Sequence, residues 1–113
     1  MGKKKGKPDP LLVVLTRRVG PLPAIRICSF VVAWGAVYEK LERPPSSVQE
    51  YARLGGTSVP TAYRDLRLFC QALPGEQSPT RLWEAARERI DLDDRAAVAC
   101  LGCISVSKLS LQP

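Results

Sequence analysis

The residues of this chain that could do chemistry are few, and the cysteines come first. Cys100 and Cys103 form a C-x-x-C pair, a spacing used by redox dithiols and by zinc sites. A redox thiolate needs a helix N-terminus to lower its pKa, whereas these two lie inside an apolar helical run. A zinc site needs four ligands, so Cys28 and Cys70 would have to complete it from distant helices. We therefore expect all four cysteines to be small buried hydrophobes, with the all-cysteine zinc site as the less favoured alternative.

Groups for acid–base catalysis or metal binding are also sparse. The 113 residues include no histidine, which is the commonest general base and metal ligand. Asp91, Asp93 and Asp94 could be taken for an acidic metal cluster, but they lie where a new helix begins and complement its dipole. No nucleophile accompanies a plausible base, and no glycine-rich loop fits a nucleotide. We therefore expect a protein that is not an enzyme and that needs no cofactor.

The most informative stretch, residues 47–73, carries groups suited to hydrogen bonding. Ser47 and Glu50 form a capping box, which predicts a short helix beginning near residue 48. Gly55-Gly56 tolerates the left-handed conformation that ends a helix. Ser58 can cap a second helix almost immediately afterwards. The pattern predicts two helices separated by a glycine-rich corner.

The second of these helices has two distinct faces. Apolar residues recur on one face at helical spacing, namely Ala62, Leu66, Phe69 and Leu73. Placing them inward turns Arg64, Arg67 and Gln71 to the opposite side, with Thr61 and Tyr63 on its flanks. The outward face is therefore basic and rich in hydrogen-bonding groups.

This stretch resembles the helix-turn-helix of bacterial and phage DNA-binding proteins. Ala52 stands where the first helix packs on the second, Gly56 stands in the turn, and Ser58 caps the recognition helix. The resemblance continues along that helix through Thr61, Ala62, Tyr63, Arg64 and Leu66. It departs from the family at Gly55 and Thr57, where hydrophobic residues are usual. The wider chain is similar to small helix-turn-helix proteins of actinobacteria and their phages.

The resemblance implies binding of double-stranded DNA through the major groove. A recognition helix enters by its N-terminal part, so the residues expected to reach furthest are Ser58, Thr61, Tyr63 and Arg64. Arg64, Arg67 and Gln71 are the candidates for base edges or neighbouring phosphates, because arginine can bind guanine and glutamine can bind adenine. Arg53 and Lys40 are candidates for phosphates alone.

The expected biological outcome is transcriptional regulation, repression in particular. A single two-helix unit has a small footprint, so a homodimer is expected, formed through the first long helix or the last one. Two alternatives remain open at this point. One is an interaction module whose outward arginines meet an acidic protein; the other is an accessory factor for recombination or replication.

Composition agrees with a nucleic-acid partner. Lysine and arginine total 17 against 11 aspartates and glutamates, a net charge of +6, and a basic balance favours polyanions. We divide the chain into a flexible basic arm at 1–10, a single helical domain at 11–107 and a frayed tail at 108–113. The arm either tracks DNA phosphates or is simply a solvated terminus.

We predict an all-α bundle of five to six helices around the helix-turn-helix. Residues 9–19 are helix, capped by Asp9, or strand, with helix favoured. Gly20 to Pro23 breaks the chain, and the longest helix follows from Ala24 to Arg43. Its uncharged centre spans 12 residues, too few to cross a bilayer, and so predicts a core helix instead of a membrane span. Gly35 in that helix would permit a close helix crossing.

Two more helices complete the prediction. Ser78 and Pro79 begin one whose inward residues are Leu82, Trp83, Ala86 and Ile90. The last helix, Asp93 to Val106, either plugs the core or forms the seam of a dimer. The thiols, with no signal peptide and no disulfide-framework spacing, predict a reducing cytoplasm.

Overall fold

The computed structural model describes residues 9–75 and 78–106, and within them the chain forms six α-helices and no β-strand. The helices are α1 Leu11–Val19, α2 Pro21–Leu41, α3 Val48–Gly55, α4 Val59–Ala72, α5 Pro79–Ala86 and α6 Asp94–Gly102. A 3₁₀ turn, Arg87–Arg89, follows α5. The predicted all-α bundle is confirmed. Most of the predicted basic arm and all of the predicted frayed tail lie outside the described residues.

Helix α2 is the centre of the bundle. The other five α-helices all pack on it, and its buried residues lie on nearly every side: Ala24, Ile27, Cys28, Phe30, Val31, Val32, Trp34, Gly35 and Val37. By length and composition alone α2 could cross a membrane, but half of its most apolar window is buried inside the protein. This burial agrees with the predicted core helix, because an all-round apolar helix needs cover on several sides.

The bounds of α2 differ from those predicted. It begins at Pro21, three residues before Ala24, since prolines in the first turn occupy positions whose N–H groups would have no helical partner. Gly20 makes the corner from α1 with a φ of +92°. The helix ends at Leu41 because Glu42 adopts a left-handed conformation, with a φ of +60°.

Helix α1 is confirmed as a helix, but its predicted cap is wrong. The residue before the helix is Pro10, while the Asp9 carboxylate pairs with Arg17. Pro10 forms an antiparallel bridge with Ser105, and the Leu11 N–H donates to the Ile104 carbonyl at 2.8 Å. Pairing with the segment after α6 therefore sets where α1 begins, and no sequence pattern near α1 could have indicated it.

Helices α2 and α5 approach each other closely at Gly35. A Cβ atom built on Gly35 would lie 2.2 Å from Cδ2 of Trp83, so the buried indole rests directly on the α2 backbone. Two hydrogen bonds hold the contact: Trp83 Nε1 donates to Glu39 Oε2 at 3.1 Å, and Trp34 Nε1 donates to Thr80 Oγ1 at 2.8 Å. The close crossing predicted for Gly35 is confirmed.

An aromatic cluster fixes α3 and α4 against α2. The Phe30 ring packs edge-on against Tyr51 of α3 and Phe69 of α4, with centroids 5.5 and 6.1 Å apart. Trp34 completes the cluster beside Tyr51, at 5.0 Å. Such pairs add to the burial of their surface. The cluster thus packs α3 and α4 against α2.

Helix α6 is shorter than predicted. It ends at Gly102 with Cys103 as its C-cap residue, whereas the prediction continued to Val106. Its buried residues Ala97 and Leu101 face the core. Ile104 and Val106 are also buried, but they lie in the irregular segment that pairs with the start of α1. Of the two predicted roles for this segment, core or dimer seam, the burial of Ile104 and Val106 supports the core, whereas the predicted helix beyond Gly102 is wrong.

Candidate nucleic-acid interface

The start of α3 is held by local hydrogen bonds. Ser47 Oγ accepts the Glu50 N–H at 3.0 Å, as the capping box predicts. The Glu50 carboxylate, however, reaches back to the Ser46 N–H at 2.8 Å instead of that of Ser47. It also receives Arg43 in a two-pronged pair, at 3.0 and 2.8 Å. The hydrogen bonds from Arg43, followed by the one from the Ser46 N–H, lower the pKa of Glu50 to about 2.

The turn between α3 and α4 consists of Gly56, Thr57 and Ser58. Gly56 is left-handed, with a φ of +72°, and its N–H donates to the Ala52 carbonyl. The Thr57 N–H donates to the same carbonyl at 3.1 Å, and Ala52 itself is buried where the helices cross. Gly55, in contrast, remains helical as the last residue of α3. A short turn of this kind, containing glycine, is typical of a helix-turn-helix.

Ser58 and Thr61 form a hydrogen-bonded pair at the start of α4. Ser58 Oγ accepts the Thr61 N–H at 3.2 Å, which confirms the predicted cap. The Ser58 hydroxyl also donates to Thr61 Oγ1 at 2.9 Å. The Thr61 hydroxyl thus accepts one hydrogen bond and keeps its own hydrogen available for donation. This hydrogen can be donated to a phosphate or a base edge.

The outward face of α4 carries Tyr63, Arg64, Arg67 and Gln71, and we refer to these four residues as the α4 face. All four are exposed, Tyr63 to 44%. Gln49 Nε2 of α3 donates to the Tyr63 hydroxyl at 3.3 Å, which ties the phenol to the neighbouring helix. The inward residues Ala62, Phe69 and Leu73 are buried and Leu66 is half-buried. The predicted division of α4 into two faces is confirmed.

The positive charge on this face is not paired within the described part of the chain. Neither Arg64 nor Arg67 has a carboxylate partner among residues 9–75 and 78–106. The acidic residue of α4, Asp65, is half-buried at the side of the helix and accepts a hydrogen bond from Arg26 of α2 at 2.9 Å. This pair neutralises the carboxylate closest in sequence to both arginines. The result is a helix face with positive charge and hydrogen-bond donors directed to solvent.

The two predicted phosphate ligands lie in different places. Arg53 is exposed on α3, one turn after Gln49 and on the same side of that helix, so it flanks the α4 face. Lys40 is also exposed, but it lines a groove on α2 with Leu54 and Asp94. Arg53 therefore lies next to the α4 face, whereas Lys40 lies beside the start of α6.

The four cysteines do not come together as a group in the described structure. No three His, Cys, Asp or Glu side chains in the described parts of the chain lie close enough to share an ion. Cys28 is buried, and burial raises the pKa of its thiol to about 12. Cys100 is half-buried, whereas Cys70 and Cys103 are exposed. The prediction of four buried cysteines is therefore wrong for these last two, since α4 turns Cys70 outward and Cys103 lies at the end of α6.

The acidic residues before α6 cap the helix, as predicted. Asp93 accepts the Ala96 N–H at 3.4 Å, and Asp91 accepts the Asp93 N–H at 3.3 Å. Asp94 lies in the first turn of α6, where the helix dipole favours a carboxylate. Their arrangement is explained by helix initiation.

Three supporting residues could not be identified from the sequence pattern alone. Arg26 neutralises Asp65, Gln49 holds the Tyr63 hydroxyl, and Arg18 of α1 donates to the carbonyl of Ala72 at the end of α4 at 2.8 Å. Of the three, only Gln49 could have been suspected from the sequence, because it lies one helical turn before Arg53 and therefore on the same side of α3. Arg26 and Arg18 act over 39 and 54 residues of chain.

Comparisons of this chain with family models, with curated proteins and with solved structures found no match.

Proposed function

We propose that this protein binds double-stranded DNA, with α4 as the recognition helix in the major groove, and that it regulates transcription as a repressor. The observation that carries the proposal is the α4 face. Arg64 and Arg67 project from a capped helix, and neither has a carboxylate partner in the described structure. The neighbouring Asp65 is paired with Arg26 instead. An exposed basic helix of this kind matches the charge of a phosphate-lined groove.

The dimensions of α4 support this role. With its side chains a helix is about 10–12 Å in diameter, which fits the roughly 12 Å width of the major groove, and the 14 residues of α4 span about 21 Å. Thr61, Tyr63 and Arg64 occupy its first two turns, which enter deepest when a recognition helix binds by its N-terminal part. Arg67 follows one turn later, and Gln71 stands near the C-terminal end. We assign direct base contacts to Arg64 and Arg67, and phosphate contacts to Thr61 and Arg53.

The proposed active species is a homodimer in a reducing cytoplasm. One recognition helix contacts few base pairs, and two copies would bind half-sites about 34 Å apart, on one side of the duplex. The four free thiols agree with a reducing compartment.

The decisive experiment is fluorescence anisotropy of labelled genomic duplex fragments, titrated with protein over a range of salt concentrations. The test variant replaces both Arg64 and Arg67 with alanine. The matched control replaces Arg89 and Arg95, which are also exposed and have no ion pair in the described structure but lie in the 3₁₀ turn and α6. Both double variants remove two positive charges, so any difference between them reports position and not net charge.

We expect the wild type to bind with a steep salt dependence. Because Arg64 and Arg67 are assigned to base edges, the test variant should lose about 1–3 kcal/mol of discrimination for each contact removed. An arginine that contacts a phosphate instead would reduce the slope of log affinity against log salt by about 1. The control should retain the affinity and slope of the wild type. Equal losses in both variants would show binding by net charge alone and would refute the recognition-helix assignment.

Two further outcomes separate the alternative functions. Absence of binding even at low salt would refute the DNA proposal and leave an acidic protein as the partner of the α4 face. If DNA binds, fragments selected by the protein can be placed in a reporter promoter. Repression of the reporter is expected. Binding without any effect on transcription would favour an accessory role in recombination or replication.

A further inference from the structure

A shallow groove runs along the outer side of α2, between α3 and the start of α6. It consists of two cavities of about 240 and 250 Å³ that share Ala33, Ala36 and Asp94. Small residues form its floor, namely Ser29, Ala33 and Ala36. Larger apolar residues form its walls, with Leu54 on one side and Leu92 and Val98 on the other. We call this depression the α2 groove.

The same side of α2 carries two exposed apolar residues beyond the groove. Leu22 is 76% exposed and Ile25 is 46% exposed, near the N-terminal end of the helix. With the floor residues they form one continuous stripe, composed of Leu22, Ile25, Ser29, Ala33 and Ala36. None of these five residues is charged, although Lys40 continues the same face one turn after Ala36. The large side chains of the stripe lie at one end and its small side chains at the other.

The spacing of this stripe is symmetric about Ser29. Ile25 and Ala33 lie four residues to either side of Ser29, and Leu22 and Ala36 lie seven residues to either side. An antiparallel α2 from a second copy would therefore place each large side chain opposite a small one. Such a pairing is self-complementary, as a twofold interface requires.

We infer that the α2 groove is occupied by a second copy of this chain. Leu22 and Ile25 of each copy insert over Ala36 and Ala33 of the other, and the twofold axis passes next to Ser29. The homodimer already proposed thus forms through α2, with the groove wall before α6 contributing Leu92.

Asp94 and Lys40 both line the groove, and of the two Asp94 offers a second copy a favourable contact. The N-terminal end of α2 has no acidic residue in its first turn, and its cap, Gly20, offers no side chain to the helix. In the antiparallel arrangement this positive end of the dipole approaches Asp94 of the second copy, which flanks the groove next to Ala36. Asp94 has no ion pair within the described structure.

The size of the contact predicts a weak dimer. The stripe from Leu22 to Ala36 is about 21 Å long, and a helix is about 10 Å wide, so the direct contact covers roughly 200 Å² on each copy. Stable complexes bury about 800 Å² per partner. The direct contact is about a quarter of that area, so we expect association only at high protein concentration, strengthened when two copies are held on neighbouring DNA half-sites.

The first test is sedimentation equilibrium of the full chain over a wide range of concentrations, without DNA. Ala36→Glu places a charge on the groove floor, and because Ala36 is exposed the monomer fold should be retained, as circular dichroism can verify. The matched control is Ala85→Glu, at an exposed position of α5 outside the groove. We expect the wild type and the control to dimerise equally, with the dissociation constant of Ala36→Glu raised at least about tenfold, or 1.4 kcal/mol.

The second test examines the register directly. In a variant with Cys70 and Cys103 replaced by serine, Ser29→Cys should form a disulfide-linked dimer on mild oxidation, because only a residue next to the twofold axis lies against its own copy. Ala85→Cys in the same background should remain uncrosslinked.

Three results would overturn the inference: a wild type that stays monomeric at every concentration, a dimer insensitive to Ala36→Glu, or a dimer in which Ser29→Cys does not cross-link. Since neither test contains DNA, such a failure is distinct from a failure of the DNA proposal, which is judged by anisotropy.

Discussion

Replacing Gly35 with alanine should destabilise the protein strongly, although alanine is the better helix former. The added Cβ would lie 2.2, 2.4 and 2.4 Å from three ring atoms of Trp83, where carbon atoms prefer separations of about 3.5–4.0 Å. The indole would have to move by more than 1 Å to restore that separation. It is buried and hydrogen-bonded to Glu39, so it cannot move without breaking other contacts.

The net effect can be estimated from two opposing terms. Overpacking of a core costs about 1–3 kcal/mol, and the severity of this overlap places it at about 3 kcal/mol or above. The gain in helix propensity is at most about 1 kcal/mol. We therefore expect a loss of about 2 kcal/mol or more in the free energy of unfolding, and a decrease in melting temperature of about 10 °C.

Urea and thermal unfolding, followed by circular dichroism, would measure this loss. Gly55→Ala is the matched control, because its Cβ would meet Tyr51 and Val37 at ordinary contact distances of 3.4 and 3.5 Å. It should stabilise the protein by about 0.5 kcal/mol. Adding Trp83→Leu to Gly35→Ala should give less destabilisation than the sum of the single changes. A Gly35→Ala variant as stable as the wild type would show that the indole does not rest on this glycine.

Two further predictions concern the start of α3 and the turn between α3 and α4. Gly56→Ala should cost about 1–2 kcal/mol, because alanine is strained at a φ of +72° and no atom within 4 Å would oppose the new Cβ sterically; Gly56→Asn should cost less, and equal stability of all three proteins in urea would contradict the left-handed turn. Glu50 should make unfolding pH-dependent in acid. Its pKa is about 2 in the folded state against an ordinary value of 4.5, so its stabilising contribution is present above pH 4.5 and is lost as the pH falls towards 2. Glu50→Gln should reduce the change of the urea midpoint between pH 4.5 and pH 2. A variant whose midpoint depends on pH as the wild type's does would argue against the pair with Arg43.

Much of the candidate interface could be predicted because its determinants are local. The Ser47 and Ser58 caps and the Gly56 turn involve groups no more than four residues apart. The two faces of α4 follow from the 3.6-residue period. Its orientation could be predicted because a single apolar stripe had to be buried.

Predictions at element ends and for isolated residues were less successful. Pro21 and Pro23 predict a break in the chain, but both lie in the first turn of α2. Proline is tolerated there because the N–H that it lacks would have had no helical partner. Asp9 lies at a position that is typical of a helix cap, but its carboxylate forms an ion pair with Arg17. Cys70 was grouped with buried cysteines because its residue type is usually buried, although its position on α4 directs it to solvent.

The sequence by itself determined the helical class, the start of α3, α4 and α5, the glycine turn and the basic outward face, because each depends on hydrogen bonds or periodicity within one element. The tertiary structure decided the remaining features. It placed Trp83 on Gly35, paired Arg26 with Asp65, and formed the α2 groove from three separate parts of the chain. These contacts join residues far apart in the chain, and which of them meet depends on how the helices pack around α2, a property that no local pattern encodes.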